Sequence, residues 1–170
     1  PYHLVLLCEN ESGYRNLSYM VSLGFTEGFY NRPRVDMELL REHHEGLIAL
    51  SACLAGRIPQ SIMQDDLQAA EQVAREYAEV FGPDHFYLEL RDHGIPEQRT
   101  VNAQIRKLAE KLSLPLVVTN DAHYLRKSDA KMQDVLLCIQ TGKTVDDPNR
   151  MKFETEEFYL KSEEELRELF

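Results

Sequence analysis

Tryptophan is absent from this 170-residue chain, and cysteine (3), proline (7) and glycine (8) are scarce. So little glycine and proline excludes collagen-like and linker-like polymers. Cys8, Cys53 and Cys138 are odd in number, far apart and never in a C-x-x-C pair. That excludes a disulfide framework and a zinc-finger spacing, and a reducing cytoplasm is the expected setting. Long apolar runs are also missing. Leu4 to Cys8, Leu47 to Ala52 and Leu114 to Val118 are the longest, far short of the roughly 20 residues of a membrane-spanning helix, and no signal-peptide core is present. Positive charge is in deficit: 19 Lys and Arg stand against 29 Asp and Glu, a net charge of −10. This removes the broad basic footprint of a non-specific nucleic-acid binder. An enzyme that grips a nucleic-acid end through metal ions stays open.

What is there suits a globular domain with a real core: 43% hydrophobic and 28% charged residues, at ordinary single-domain length. Periodicity predicts four strands, His3 to Leu7, Leu47 to Ala52, Phe86 to Leu90 and Leu116 to Thr119. Apolar residues at three- and four-residue spacing predict helices over Tyr14 to Leu23, Asp66 to Phe81 and Pro96 to Leu112. Gly82-Pro83 ends the second of these, and Pro96 fits the first turn of the third, where its missing N–H costs nothing. Strands alternating with helices predict an α/β fold with a largely parallel sheet, either open or part of a barrel. From about Ser128 the pattern changes to a helix over Ala130 to Gln140, a turn-rich link from Gly142 to Asn149, a short strand at Phe158 to Leu160, and a last helix capped by the Ser162-Glu-Glu-Glu165 box. The start at Pro1, without Met, and the end within a helical pattern read as a slice of a longer protein.

In both α/β architectures ligands gather at the carboxyl ends of the strands. There stand Cys53, then Arg91-Asp92-His93-Gly94, then Asn120-Asp121-Ala122-His123. In Asp121-x-His123 an extended backbone sends both side chains to one side. Carboxylate, imidazole and thiolate together fit zinc, manganese or iron better than calcium or magnesium. A bland alternative stands beside each residue: Asp121 as a cap, His123 as a local hydrogen-bond partner, Cys53 as a small buried hydrophobe, His93 before Gly94 as a turn residue. His3 opens its strand, the wrong end for a site if the strand begins there. His43-His44 reads as a helix terminus, His85 as surface, Glu154, Glu156, Glu157 and Glu163 to Glu165 as a solvated face, and Cys8 and Cys138 as core.

The segments His3 to Leu17, Glu27 to Tyr30, Gly46 to Gly56, Phe86 to Gln98, Thr119 to Leu125 and Asp134 to Lys143 closely resemble the family of bacterial DNA polymerase III alpha subunits, within their polymerase-and-histidinol-phosphatase (PHP) domain. Phe153 to Ser162 is similar to that family's passage toward the palm. The resemblance implies part of a distorted (β/α)7 barrel over residues 1–127, with residues 128–170 a helical exit toward the palm. It implies divalent metal ions, zinc or manganese first and magnesium next, on His3, Cys53, Asp121 and His123, with Asp121 and His123 also catalytic. The implied activity is 3′→5′ exonuclease proofreading within a DNA-directed DNA polymerase, with the DNA primer end and other holoenzyme subunits as partners. Glu89, Asp92 and His93 match a family loop, without a ligand role. The family's amino-terminal His-x-His motif, its further Asp, His and Glu ligands and its palm carboxylates have no counterpart here. A structural module bracing the polymerase is the rival reading, and a free-standing phosphoesterase the third.

Overall fold

A computed structural model describes residues 1–82 and 84–170. Pro83 lies outside the described residues, so of the Gly82-Pro83 helix stop only the glycine is seen. The chain divides into two compact units, residues 1–89 with 101–117, and residues 90–100 with 118–170.

The first unit is built on a sheet in the order β1-β2-β3-β4, with β1 Val5–Cys8, β2 Leu47–Leu50, β3 Phe86–Leu90 and β4 Leu116–Val118. The last residues of β3 and β4 pass into the second unit. Strand β2 runs parallel to β3 (Ala49 opposite Phe86). The expectation of a largely parallel sheet fails at β1, which pairs antiparallel with β2 from Val5 opposite Leu50 to Cys8 opposite Leu47. Strand direction depends on how the chain returns, and a helical connection permits either sense. Cys8, expected in the core, is exposed because it ends this edge strand.

Between β1 and β2 lie α1 (Glu11–Thr26) and α2 (Met37–Glu42). Asn10 and Asp36 cap them by accepting from the backbone N–H of Gly13 and Leu39, which satisfies one orphan donor of each first turn. Two more helices, α3 (Arg57–Met63) and α4 (Leu67–Phe81), pack on each other before β3. Helix α5 (Pro96–Leu112) has the bounds that its apolar period predicts. Ala70, Val73, Ala74 and Tyr77 of α4 are buried, as are Leu47, Ala49, Phe86 and Leu88 of the strands, and α4 packs against β2. The Tyr77 and Phe86 rings meet at 5.4 Å. Helix α1 comes so close to the chain just before β2 that a Cβ on Gly13 would lie 1.8 Å from the Gly46 carbonyl oxygen.

The second unit holds the first turn of α5, the helix α6 (Ala130–Thr141), the helix α7 (Glu163–Leu169) and the segment between them. Gly142, at φ 66°, ends α6 in the left-handed conformation. The Ser162 box caps α7 with both reciprocal bonds present. The strand expected at Phe158 to Leu160 is reduced to one bridge, Tyr124 with Tyr159. Cys138 is buried, as expected. No helix among the described residues is long and apolar enough to cross a membrane.

Candidate functional site

In the first unit, β2 ends at Leu50 and the chain turns sharply through Ser51 and Ala52 to Cys53. Ala52 has φ 66°, a left-handed conformation that costs an L-residue about 1–2 kcal/mol. The turn is held from both sides. The backbone N–H of Ala52 donates to Glu89 Oε2 at 2.6 Å, and the N–H of Glu89 donates to Ser51 Oγ at 2.8 Å. Further on, Gly56 N–H donates to the Cys53 carbonyl, and Gln60 Nε2 donates to the Leu54 carbonyl at 2.7 Å. His3 bridges to Gly56, and its N–H donates to the Ala55 carbonyl at 2.9 Å. These bonds bring His3 Nδ1 to 3.6 Å from Cys53 Sγ. The objection that His3 sits at the wrong end of its strand falls away, because the antiparallel β1 puts its start beside the end of β2.

In the second unit Asp121 and His123 follow β4. Their side chains do project to one side, with Asp121 Oδ1 3.3 Å from His123 Nε2. Arg91 reaches Asp121 Oδ2 through Nη1 at 3.1 Å and Thr119 Oγ1 through Nε at 3.0 Å. His123 is fixed by backbone and ring. Its N–H donates to the Phe158 carbonyl at 2.8 Å, and its imidazole packs on Phe153 at 4.7 Å and edge-on to Phe158 at 5.7 Å.

His93, read as a turn residue, is 1% exposed. Its ring stacks on Phe158 at 4.5 Å with planes 4° apart. The Gln98 carboxamide accepts the His93 N–H at 2.7 Å and donates to His93 Nδ1 at 2.9 Å. Nδ1 is therefore the acceptor, and the neutral ring carries its proton on Nε2. Burial pushes the His93 imidazole below its ordinary range; Lys161 adds to this and Asp121 opposes it. No sequence signal marks this burial, since Arg-Asp-His-Gly has the composition of any polar turn. Glu89, 2% exposed, was legible only as the one carboxylate in an otherwise apolar strand. Of the remaining candidates, His43 caps the end of α2 and His44 Nδ1 lies 2.8 Å from the Arg41 carbonyl. His85 meets Glu9 at 3.3 Å. Glu157 of the acidic run is paired with Lys127 and Lys161, and Lys127 holds its carboxyl below the usual carboxylate range.

Among the described residues no three His, Cys, Asp or Glu side chains gather as a metal-holding group. The pairs nevertheless have ligand geometry. Two ligands of one tetrahedral zinc at the usual bond lengths stand about 3.5 Å apart for sulfur and nitrogen, and about 3.4 Å for oxygen and nitrogen. His3 with Cys53, at 3.6 Å, and Asp121 with His123, at 3.3 Å, meet those separations. The donor types, thiol, imidazole and carboxylate, suit zinc or manganese.

A family model for the PHP domain matches residues 1–93. Over nearly the whole chain the sequence is similar to DNA polymerase III subunit alpha of several bacteria. That of Treponema pallidum is 51% identical over 99% of this chain and 14% of its own length. That of Thermus aquaticus is 49% identical over 98% of this chain and 14% of its own. For Borreliella burgdorferi the identity is 47%, over 99% and 15%. The chain thus spans about one seventh of the length of these relatives.

Proposed function

The chain belongs to the PHP domain family, and on that premise we propose that it is the later part of the PHP domain of a replicative DNA polymerase III alpha subunit, working as a metal-dependent 3′→5′ exonuclease on the primer end. The observation that carries this reading is the ligand-like spacing of His3 with Cys53 and of Asp121 with His123. The identity with subunits of that name over nearly the whole chain supports it. In this reading the sheet is part of a distorted (β/α)7 barrel over residues 1–127, residues 128–170 lead toward the palm, and the protein acts in the cytoplasm with DNA and holoenzyme subunits as partners.

A bound divalent ion, zinc or manganese before magnesium, would supply an activated water and neutralise phosphate charge. His3 with Cys53, and Asp121 with His123, are the residues proposed to ligate such ions. Asp121 presents one carboxylate oxygen toward His123 and keeps the other on Arg91. Arg91 thus orients the carboxylate and offsets negative charge where phosphate approaches, in a chain whose net charge is −10. The Phe158 carbonyl and the Phe153 ring fix the His123 backbone and imidazole.

The same ion pair favours a second reading. Asp121 already has a cationic partner in Arg91, as in a module that braces the polymerase without catalysis. Primer shortening by the full-length protein separates the two. Asp121→Asn should lower nucleotide release beyond about 100-fold, the upper range for losing a mere supporting residue, while polymerisation continues. Equal release by both proteins, with metal bound to the wild type, leaves the bracing module.

A further inference from the structure

Glu89 is a buried carboxylate, 2% exposed, on a strand otherwise made of Phe, Tyr and Leu. A carboxylate taken out of water requires hydrogen-bond donors in return. One donor that it meets is the backbone N–H of Ala52, at 2.6 Å. That residue holds the left-handed φ of 66° and directly precedes Cys53. An L-residue stays in such a conformation only where its surroundings over-determine it. Here the determinants are the Glu89 side chain on Ala52 and the Ser51 hydroxyl on the Glu89 N–H, which tie the turn to β3 twice. A relaxed Ala52 would redirect the next residue's side chain. Cys53 Sγ would leave its place 3.6 Å from His3 Nδ1.

We propose that Glu89 is a positioning residue: its carboxylate pins the strained Ser51-Ala52 turn and thereby aims the Cys53 thiol at His3. The role is one of acceptor geometry, so glutamine, which keeps an acceptor oxygen at the same reach, preserves it. Leucine, of similar size without an acceptor, abolishes it. Aspartate, one methylene shorter, draws the acceptor back from the Ala52 N–H. The part played by metal rests on the reading above, whereas the aim of the thiol does not.

The test uses the full-length protein with Glu89→Gln, Glu89→Leu and Glu89→Asp. In metal-free protein, iodoacetamide alkylation is followed by mass spectrometry on the peptide carrying Cys53, with buried Cys138 as the internal folding control. With cobalt(II) added, the thiolate-to-cobalt charge-transfer band is recorded. Glu89→Leu and Glu89→Asp should change the Cys53 alkylation rate about threefold or more in either direction, at unchanged Cys138, and lose or shift the band; Glu89→Gln should match the wild type. If Glu89→Leu fails to fold, Glu89→Asp carries the comparison. Cys53 reactivity equal to wild type in a folded Leu or Asp variant overturns the assignment. A wild type with no cobalt band, whose Cys53 still responds to Glu89→Leu, removes the metal reading and leaves the positioning role standing.

Discussion

Replacing Phe158 with leucine should loosen the candidate ligand His123 without touching it. The Phe158 ring is 7% exposed and meets three others: His93 at 4.5 Å, Phe153 at 4.5 Å and His123 at 5.7 Å. Leucine keeps most of the apolar burial and removes the ring contacts, each worth about 0.5–1.5 kcal/mol beyond burial. Neighbouring contacts are not additive, so the net loss should be about 1–3 kcal/mol. The Phe158 carbonyl survives the substitution and still accepts from the His123 N–H, at 2.8 Å. That amide therefore reports how often the segment opens. Its hydrogen exchange should quicken by about 5- to 150-fold. The amide of Ala74, in the middle of α4 in the other unit, serves as control. An unchanged His123 amide would show that the rings do not hold the segment. Equal acceleration at Ala74 would mean a global loss of stability, and either result refutes the reasoning.

Acid should have a related effect through His93. Burial, reinforced by Lys161 and opposed by Asp121, lowers its folded-state affinity for a proton, so below the ordinary histidine value near 6.5 the unfolded chain binds the proton that the folded chain refuses. The stabilisation from neutral His93 is present above that value and is lost as pH falls through it. Protection of the Gly94 and Phe158 amides, taken relative to intrinsic exchange at each pH, should fall between about pH 6.5 and 5 in the wild type and show less such dependence in His93→Asn. Gly13→Ala would put a methyl 1.8 Å from the Gly46 carbonyl oxygen. It should destabilise the first unit by about 3 kcal/mol, the upper range for overpacking, seen as faster exchange across α1 and β2; near-wild-type protection would mean that the loop moves aside easily.

How much of this was legible depended on how local the determinants are. Helices α4 and α5 and the Ser162 box appear where expected, because apolar period, Pro96 and capping chemistry all act within a few residues. Of the two short helices, α2 was legible only at its end, His43-His44, and α3 was missed. Six or seven residues are too few to display a period, and α3 holds a proline as its third residue. The sense of β1, the exposure of Cys8 and the burial of His93 each depend on residues far away in sequence, such as Leu50 for Val5 and Phe158 for His93. Asp121-x-His123 was readable as a pair because strand geometry alone aligns alternate side chains. The Arg91 contact on Asp121 was not, since it joins the ends of two strands.

The second unit is made from two stretches, residues 90–100 and 118–170, and that dictates an order of events during synthesis. A growing chain folds as its segments emerge, at roughly 5–20 residues per second. His123 leaves the ribosome well before Phe158, whose carbonyl and ring hold it. His123 therefore stays unfixed for about 2–7 s, until the tail arrives, while His3, Cys53 and Glu89 are all translated by residue 89. The two candidate pairs ripen at different moments, and an ion that the nascent chain captured through them would meet the histidine and thiol first.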